Sequence, residues 1–535
     1  MTPKYLRPTV KAEALIWNWY AWTYLIPPIT AGCNIVERHL KIMQSYVQSP
    51  LLHAQVVKDP KMLGGPFLDL NGKKVQEIKQ LITDTKNICS IFILLNNSYK
   101  ELDRALQAEA VGDSIESIYS RIPNVLKGLV ELVYDLNSHP SIRIIEPLVY
   151  SKYYTESLRG QKIALSDTIS DYRKFALSTP RLDQDDEVYL DLPFSDPRLD
   201  ILFKTRYEPR DLTEIKALFQ ISESKQNLFE SFFTSTPPAL SVDHKYDGDG
   251  VRLRYFGHAC ILVETKSVSI LFDPVISYPI ETKEAQKTPR YTLADIPDCI
   301  DYVVLTHNHQ DHIIFETLLQ LRHKIKNVVF PTSQIGSLAD PSIRLILKHI
   351  GFTCNLIELK EMESVTLPQG KITGLPFFGE HSDLNIQSKM SYSIKLKNKH
   401  FLFAADSSSL DSALYDHIFA HIGDVDMLFL GMECDGAPLT WLYGPLLTGS
   451  LKRSYDNNRT LSGSNFERAW PIVEKSKCTE AYIYAMGQEP WLGYIMALEY
   501  TKASPQIVES DNFIKACVAN NIKAERLYGK KEWVR

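Results

Sequence analysis

Three histidines and an aspartate are packed into the six residues HNHQDH, positions 307–312. An apolar run directly before them predicts a buried strand, so we expect the cluster in the turn at the C-terminal end of that strand. Imidazole is the commonest protein metal ligand, and four ligand-type side chains seldom crowd together by chance. The spacing lets His307 and His309 face one point while Asp311 and His312 face a neighbouring point. The cluster therefore predicts a centre for two metal ions.

Further ligands are expected at the ends of later strands, because two metals need more donors than one turn supplies. One candidate is the pair Glu380-His381, which follows an apolar run. Another is Asp406, at the end of a predicted buried strand. The structural alternative for Asp406 is a helix N-cap, since residues 407–410 could open a helix.

HxHxDH after a strand resembles the signature of the metallo-β-lactamase fold superfamily. Asp406 is similar to its bridging carboxylate, and its hydrolases have a histidine ligand near position 380, which would be His381. The segments GEHSDL and AADS, however, resemble the diiron oxygenase branch, of the chloramphenicol-biosynthesis β-hydroxylase type, in which a glutamate, here Glu380, replaces that histidine. This resemblance implies one metal on His307, His309 and Glu380 and a second on Asp311 and His312, with Asp406 bridging them.

One coordination position of the second metal has no candidate histidine in this sequence. The superfamily usually supplies a late histidine, but the last one here is His421, in a segment that predicts helix and loop. Glu433 and Glu489, each after a predicted strand, are candidate replacements, and an open position for dioxygen or substrate is the alternative. His258 and Asp273 match strand-end positions that usually orient metal ligands, with ordinary turn residues as the alternative.

A carboxylate in place of an imidazole shifts the preference of a site from zinc toward iron or manganese. The resemblance thus implies an enzyme with two iron ions that uses dioxygen and an electron donor to hydroxylate or otherwise oxidise a C–H bond. Its expected substrate is a small molecule or an amino acid bound to a carrier protein in specialised metabolism. The alternative is a dizinc hydrolase of an ester, lactone or phosphodiester, with His381 as a ligand. The sequence identifies no catalytic residue beyond the ligands.

Composition narrows the class of protein and its partners. A chain of 535 residues predicts two or more domains. Its net charge of −5 argues against a nucleic-acid partner, because phosphate binding needs clustered positive charge. Eight scattered cysteines without a CxxC motif argue against a disulfide framework and favour a cytoplasmic location. The N-terminal residues show no signal-peptide pattern.

The chain is expected to be an α+β protein of two domains. Residues 1–240 predict a mostly helical domain that forms a dimer or shapes the binding of a partner or substrate. Residues 234–250, rich in Pro, Gly, Ser and Asp, mark the boundary. From residue 246 to 535 strands and helices alternate, which together with the motif predicts an αββα metallo-β-lactamase-fold sandwich.

Local patterns predict particular helices in the first domain. Helical spacing of apolar residues is present in 31–48 and 73–95, and Pro123 stands at the start of a further predicted helix. The aromatic run 15–26 is too short and too polar to span a bilayer, and no membrane span is expected. We expect this run to be an aromatic helix, buried or in a dimer interface, with an interfacial membrane helix as the alternative.

Overall fold

The computed structural model describes residues 3–239, 244–280 and 288–535. The C-terminal region contains a pair of β-sheets that face each other, and helices cover their outer sides. The N-terminal region packs against one of these outer sides through a shared apolar core. The predicted α+β class and αββα sandwich are confirmed.

The N-terminal region contains both helices and short strands. Its strands are β1 (Tyr5–Leu6), β2 (Val10–Ile16), β3 (Trp19–Tyr20), β4 (Val130–Tyr134), β5 (Pro140–Ile144), β6 (Gln161–Asp167), β7 (Val188–Leu190) and β8 (Phe233–Thr234). Its helices are α1 (Pro28–Asn34), α2 (Lys41–Gln48), α3 (Pro50–Val56), α4 (Val75–Ile88), α5 (Ser90–Glu109), α6 (Glu146–Leu158), α7 (Arg198–Lys204), α8 (Leu212–Phe219) and α9 (Gln226–Ser231). A π-helical segment, Ile35–Leu40, joins α1 to α2. The helical patterns in 31–48 and 73–95 are confirmed.

The C-terminal region supplies the two large sheets. Its strands are β9 (Arg252–Gly257), β10 (Cys260–Glu264), β11 (Ser269–Phe272), β12 (Ile300–Val304), β13 (Ile325–Pro331), β14 (Asn355–Leu359), β15 (Ser364–Leu367), β16 (Gly370–Leu375), β17 (Ser391–Leu396), β18 (Lys399–Phe403), β19 (Met427–Gly431), β20 (Glu480–Tyr484), β21 (Lys523–Arg526) and β22 (Lys531–Val534). Its helices are α10 (Phe315–Leu321), α11 (Ile343–His349), α12 (Ala413–Ile422), α13 (Leu439–Tyr443), α14 (Arg453–Asn458), α15 (Phe466–Ser476), α16 (Gly493–Met496) and α17 (Pro505–Ala519).

The strand order brings the ends of parallel strands together at one edge. Among the described residues, the first sheet has the order β14-β13-β12-β11-β10-β9-β22 and the second β15-β16-β17-β18-β19-β20-β21. Strands β11 to β14 are parallel in the first sheet, and β18 to β21 are parallel in the second. The loops after β11, β12, β18 and β19 therefore follow carboxyl ends, where open α/β folds bind ligands.

Aromatic side chains between the sheets hold the two layers in register. The Phe272 ring, at the end of β11, stacks on the Phe403 ring of β18 with centroids 4.2 Å apart. Phe403 stacks on Phe429 of β19 at 5.0 Å. These stacks lie close to the polar loops, so the apolar core fixes the spacing of the strand ends.

The predicted helix over the aromatic run 15–26 is wrong. The chain forms the hairpin of β2 and β3 there, followed by a 3₁₀ turn at Thr23–Leu25, and the first α-helix begins at Pro28. Trp17 and Asn18 both have positive φ angles, 49° and 69°, which suits a two-residue hairpin turn. Aromatic and β-branched residues fit a pleated strand well, and the pairing of β2 with β6 favours a strand over a helix here.

The predicted helix after Pro123 is also wrong. Residues 124–128 form turns, and β4 follows and pairs with β5 as an antiparallel hairpin. Gly128 has a φ of 73°, which ends any helical turn before β4 begins. The buried residues Val130 and Leu132 alternate with the half-buried Glu131, which is a strand pattern.

Some of the predicted boundary, residues 240–243, lies outside the described residues, as do residues 281–287. No helix in the described ranges of the chain is long and apolar enough to cross a lipid bilayer.

Candidate metal centre

The predicted ligands meet where the carboxyl ends of the two sheets face each other. Among the residues that the structure describes, three groups of donor atoms lie within 4.8 Å of one another. They are His307 with His309 and Glu380, His307 with His312 and Asp406, and His258 with Asp311 and His312. The six ligands predicted by the resemblance are therefore brought together, and His258 joins them.

Asp406 lies between the two halves of the cluster. Its Oδ2 atom is 3.1 Å from His312 Nε2 and 3.5 Å from His307 Nε2. The preceding residue, Ala405, has a φ of 49°, a left-handed conformation that turns the chain sharply after β18. The alternative of an N-cap is wrong, because α12 begins only at Ala413.

Glu380 lies against His309, on the opposite side of the cluster from Asp311. Its Oε1 is 2.9 Å from His309 Nδ1, and its Oε2 is 2.9 Å from His381 Nδ1. Glu380 itself has a φ of 72°, a costly left-handed conformation of the kind that clusters at functional sites. Burial raises the pKa of Glu380, but His309 and His381 outweigh this and hold it at about 2. The carboxylate thus joins the donor group, and His381 contacts its other oxygen.

The residues behind the cluster fix the orientation of its ligands. Asp273 Oδ2 is 2.8 Å from His312 Nδ1, and the Thr306 backbone N–H and hydroxyl both donate to Asp273. His258 Nε2 is 3.1 Å from Asp311 Oδ2. Residues that contact the ring nitrogens and carboxylates of metal ligands in this way set the tautomer and the orientation of those ligands. Asp273 lies where a supporting residue is expected.

The donor atoms that face the middle of the cluster fit a metal. Among the described residues, His307 Nε2, His312 Nε2 and Asp406 Oδ1 are buried and have no hydrogen-bond partner. An unpaired buried polar atom costs about 1–3 kcal/mol, so several together call for a ligand. The nitrogen and oxygen donors, with three carboxylates, suit iron as well as zinc. The residues present therefore fit a dinuclear centre.

The two late glutamates differ in position. Glu433 lines the same cavity as Asp311 and Glu380, outside the three donor groups. Burial and the charges of Asp311 and Asp406 raise the pKa of Glu433. This negative potential attracts cations to the site. Glu489 is instead buried behind His258 and accepts a hydrogen bond of 2.5 Å from the Tyr255 hydroxyl.

Sequence patterns did not identify three residues that support the centre. Thr306 directly precedes the HNHQDH motif, and its position at the strand end is a signal that could have identified it. The Tyr443 hydroxyl lies 3.0 Å from His309 Nε2. The ring of Tyr24, from the N-terminal region, packs edge-on against the Tyr443 ring, with centroids 6.2 Å apart. No local pattern marks either tyrosine, because both are placed by the packing of distant segments.

A cavity of about 710 Å³ opens onto the candidate metal ligands. His309, Asp311 and Glu380 lie on its surface. Its other walls come from separate segments of the chain: Pro60 to Gly64, Phe175, Leu177, Asp435 to Pro438, Trp441, Leu442, and residues between Ile495 and Gln506. A cavity of this size accommodates an organic substrate next to the donor groups.

Replacement of Asp273 by asparagine is expected to weaken metal binding by roughly 10–100-fold, because His312 loses the carboxylate that orients its ring. Competition of the metal-free protein with a chromophoric chelator for Zn²⁺ measures the change. Asp301→Asn is the control and should leave the affinity unchanged, because Asp301, a half-buried residue of β12, contacts Lys326 and Ser269 and lies outside the three donor groups. An unchanged affinity in Asp273→Asn would contradict the supporting role of this residue.

The fold and the paired donor groups define a protein of the metallo-β-lactamase fold with a site for two metals. Comparison with known proteins identifies its branch of that superfamily. Residues 5–237 match the family described as the diiron non-haem β-hydroxylase N-terminal domain, and residues 269–437 match the β-lactamase superfamily domain. The chain is 36% identical, over 98% of its length and 98% of the relative's, to the 4-amino-L-phenylalanyl-[CmlP-peptidyl-carrier-protein] 3-hydroxylase of Streptomyces venezuelae. It belongs to the diiron β-hydroxylase family.

Solved structures agree with this relationship. The crystal structure of CmlA, a diiron β-hydroxylase from Streptomyces venezuelae, superimposes with a TM-score of 0.91 at 33% identity and covers 100% of both chains. A glutamate-to-aspartate mutant of CmlA gives a TM-score of 0.89 and covers 99% of this chain and 100% of its own. The predicted diiron oxygenase, with two iron ions and dioxygen, is confirmed at the level of the family, and the dizinc hydrolase is set aside.

Proposed function

We propose that this diiron oxygenase hydroxylates the β-carbon of an aminoacyl group that a carrier protein presents as a thioester. The observation that carries the proposal is the cavity of about 710 Å³, which reaches the metal ligands and is walled by apolar side chains such as Phe175 and Met496. The Streptomyces relative, which acts on a carrier-bound 4-amino-L-phenylalanyl group, supports the substrate class and the position of hydroxylation.

We assign the ligands of the two irons from the donor groups. One iron would be held by His307, His309 and Glu380, and the other by Asp311 and His312. The position of Asp406 between the two histidines His307 and His312 supports its role as the bridge. Glu433 is the candidate for the remaining position of the second iron, and Glu489 and His258 support the site from behind.

When bound, the two irons supply the redox chemistry that dioxygen activation and C–H cleavage require. The side chains of the protein hold the ligands in place and keep water away from the substrate. His381 Nδ1 lies 2.9 Å from one oxygen of Glu380, and the other oxygen faces His309, with which it would hold an iron. The apolar walls at Phe175 and Leu177 would cover part of the substrate and reduce its contact with water.

We propose two functional units, residues 1–240 and 246–535, which share the task. The second carries all the assigned ligands, and the first contributes a wall of the cavity. The backbone N–H of Ala176, between the cavity residues Phe175 and Leu177, donates to the Tyr494 carbonyl at 2.7 Å. This contact between the two units supports a role of the N-terminal unit in shaping the substrate site.

Hydroxylation requires electrons from outside the substrate. The balance is R–H + O₂ + 2 e⁻ + 2 H⁺ → R–OH + H₂O, so we propose an external electron donor. The eight cysteine thiols, all free among the described residues, support a location in the reducing cytoplasm. A homodimer stays a prediction, and sedimentation equilibrium of the purified protein tests it.

Metal analysis tests the proposed function first. Protein expressed with iron and zinc both available is expected to contain about two irons per chain and to show an oxo-to-iron charge-transfer band. Given reductant and dioxygen, it should add one oxygen atom to an aromatic aminoacyl group on a carrier protein, measured as a gain of about 16 Da by mass spectrometry. A colourless protein with two zincs, or iron-loaded protein that leaves every carrier-bound aminoacyl group unchanged, would contradict the proposal.

A further inference from the structure

Arg38, a buried cation of the N-terminal region, is bonded to helix α13, which forms part of the cavity wall. Its Nη2 atom donates to the backbone carbonyls of Trp441 and Leu442, at 2.9 and 2.7 Å. Both of these residues line the cavity. The last carbonyls of a helix have no partner within it, so Arg38 satisfies two of them from the other region of the chain.

Lys100 holds the turn that follows α13. Its Nζ atom donates to the carbonyl of Pro445 at 2.8 Å and also to that of Leu447. These carbonyls belong to the 3₁₀ turn Gly444–Leu446 and the residue after it. Arg38 is 6% exposed and Lys100 is 4% exposed, so water competes little for these bonds.

The local backbone of the N-terminal region brings the two cations to one place. Arg38 lies in the π-helical segment Ile35–Leu40, and such turns are rare and are frequent at functional sites. Lys100 lies on α5, which approaches α1 closely at Gly32. A Cβ atom at Gly32 would lie 2.4 Å from the carbonyl oxygen of Phe92, so only glycine permits this approach.

The burial of Arg38 costs free energy because its main partners are neutral carbonyls. Burial lowers the pKa of Arg38 to about 10, and no carboxylate in the described part of the chain offsets this. The Trp22 ring, with its centroid 5.7 Å from the guanidinium carbon, adds one favourable contact. Natural proteins accept local costs of this kind chiefly at functional sites.

The opposite end of α13 is held within the C-terminal region. Asp456 accepts a hydrogen bond of 2.9 Å from the Thr440 backbone N–H. The Leu439 backbone N–H donates to the Arg459 carbonyl at 3.0 Å. Loss of the two cations should therefore loosen the end of the wall that faces the N-terminal region and leave the start of the helix in place.

We propose that Arg38 and Lys100 are positioning residues that fix α13, and with it the part of the cavity wall formed by Trp441 and Leu442. The inference rests on the proposed function, in which the aminoacyl group occupies this cavity. It assigns to two side chains of the N-terminal region an effect on substrate binding that they exert through a helix of the other region.

Hydrogen–deuterium exchange of the iron-loaded protein tests this role without turnover. In Arg38→Met the amides of residues 439–447 should exchange roughly 10–100-fold faster, because bonds from a charged donor are lost, while other segments exchange as in the wild type. Lys100→Met should change the same segment. Arg104→Met, at an exposed position of the same helix α5, is the matched control and should change nothing.

Steady-state kinetics test the consequence for the substrate. The probe is a 4-amino-L-phenylalanyl group loaded as a thioester on a peptidyl carrier protein, as used by the Streptomyces relative. Arg38→Met is expected to raise KM by about tenfold and to leave kcat and the iron content near their wild-type values. Arg38→Lys keeps a cationic donor and should recover much of the loss.

Faster exchange confined to residues 439–447, together with a raised KM, would support the proposal. Unchanged exchange in both Arg38→Met and Lys100→Met would overturn it, and so would a fall in kcat at unchanged KM. If Arg38→Met does not fold, Lys100→Met carries both measurements. Failure of the proposed function has a different signature: the wild-type protein would leave the aminoacyl carrier protein unmodified, and the exchange data would still decide whether the two cations hold α13.

Discussion

Glu380→Ala is expected to lose iron and all hydroxylase activity, whereas His381→Ala should retain both metals. Glu380 is the carboxylate in the donor group with His307 and His309, and no other carboxylate shares that group within the described residues. Its removal leaves two imidazoles and the shared Asp406 carboxylate, an incomplete set for iron. Iron content should fall by at least one ion per chain, and turnover should drop to the limit of detection. Elemental analysis after dialysis measures the first effect.

His381→Ala is the neighbouring control for this experiment. It removes a group that contacts Glu380 Oε2 and leaves Oε1 in place beside His309. We expect a roughly 10–100-fold weaker affinity, the usual cost of losing a supporting residue, with about two irons still bound at saturating metal. Metal-free His381→Ala beside fully loaded Glu380→Ala would reverse the ligand assignment and favour the histidine of the hydrolase pattern.

Arg173→Met is expected to lower the free energy of unfolding by about 3–5 kcal/mol, because it leaves two buried carboxylates without their shared cation. The Arg173 guanidinium contacts Glu316 at 2.6 Å and Glu13 at 3.0 Å, and its centre lies 3.5 Å from the centroid of the Tyr494 ring. Burial raises the pKa of Glu13, but Arg181 and Arg173 outweigh this and hold it well below its usual range. Denaturant unfolding of the metal-free protein measures the loss.

Arg121→Met is the matched control, at an exposed ion pair with Glu109. Such pairs contribute about 0–1 kcal/mol, so this variant should unfold close to the wild type. Because Arg173 joins the N-terminal region to Tyr494, next to the cavity residue Ile495, its replacement should also raise KM more than it lowers kcat. Equal stability of the two variants would show that the buried network contributes little to folding.

The clustering of the candidate ligands was largely predictable because they are local in sequence or stand at strand ends. HNHQDH is one turn of chain, and Glu380 and Asp406 each follow an apolar run that directly indicates a buried strand. The choice of Glu380 rather than His381 as the metal ligand rested on the resemblance to the oxygenase branch. Spacing alone does not distinguish two adjacent residues that can both bind a metal. The left-handed φ of Glu380 is what directs its carboxylate to His309.

The aromatic run and the segment after Pro123 were predicted as helices for a common reason. Short apolar segments satisfy helix and strand patterns about equally, and pairing with a distant partner decides between them. Strand β2 pairs with β6 about 150 residues later. Local propensity contains no information about such a partner.

The sequence by itself predicted the class of the site, its principal candidate ligands and the sandwich that holds them, because these depend on short-range motifs and on strand periodicity. The sequence left open whether His258 and Asp273 support the ligands or are ordinary turn residues, and only the tertiary structure showed their contacts with His312 and Asp311. Asp273 reaches His312 across neighbouring strands, and the Tyr443 hydroxyl reaches His309, 134 positions earlier in the chain. Hydrogen bonds of this kind depend on how separate layers pack against each other, and packing of distant segments leaves no periodic trace in the chain.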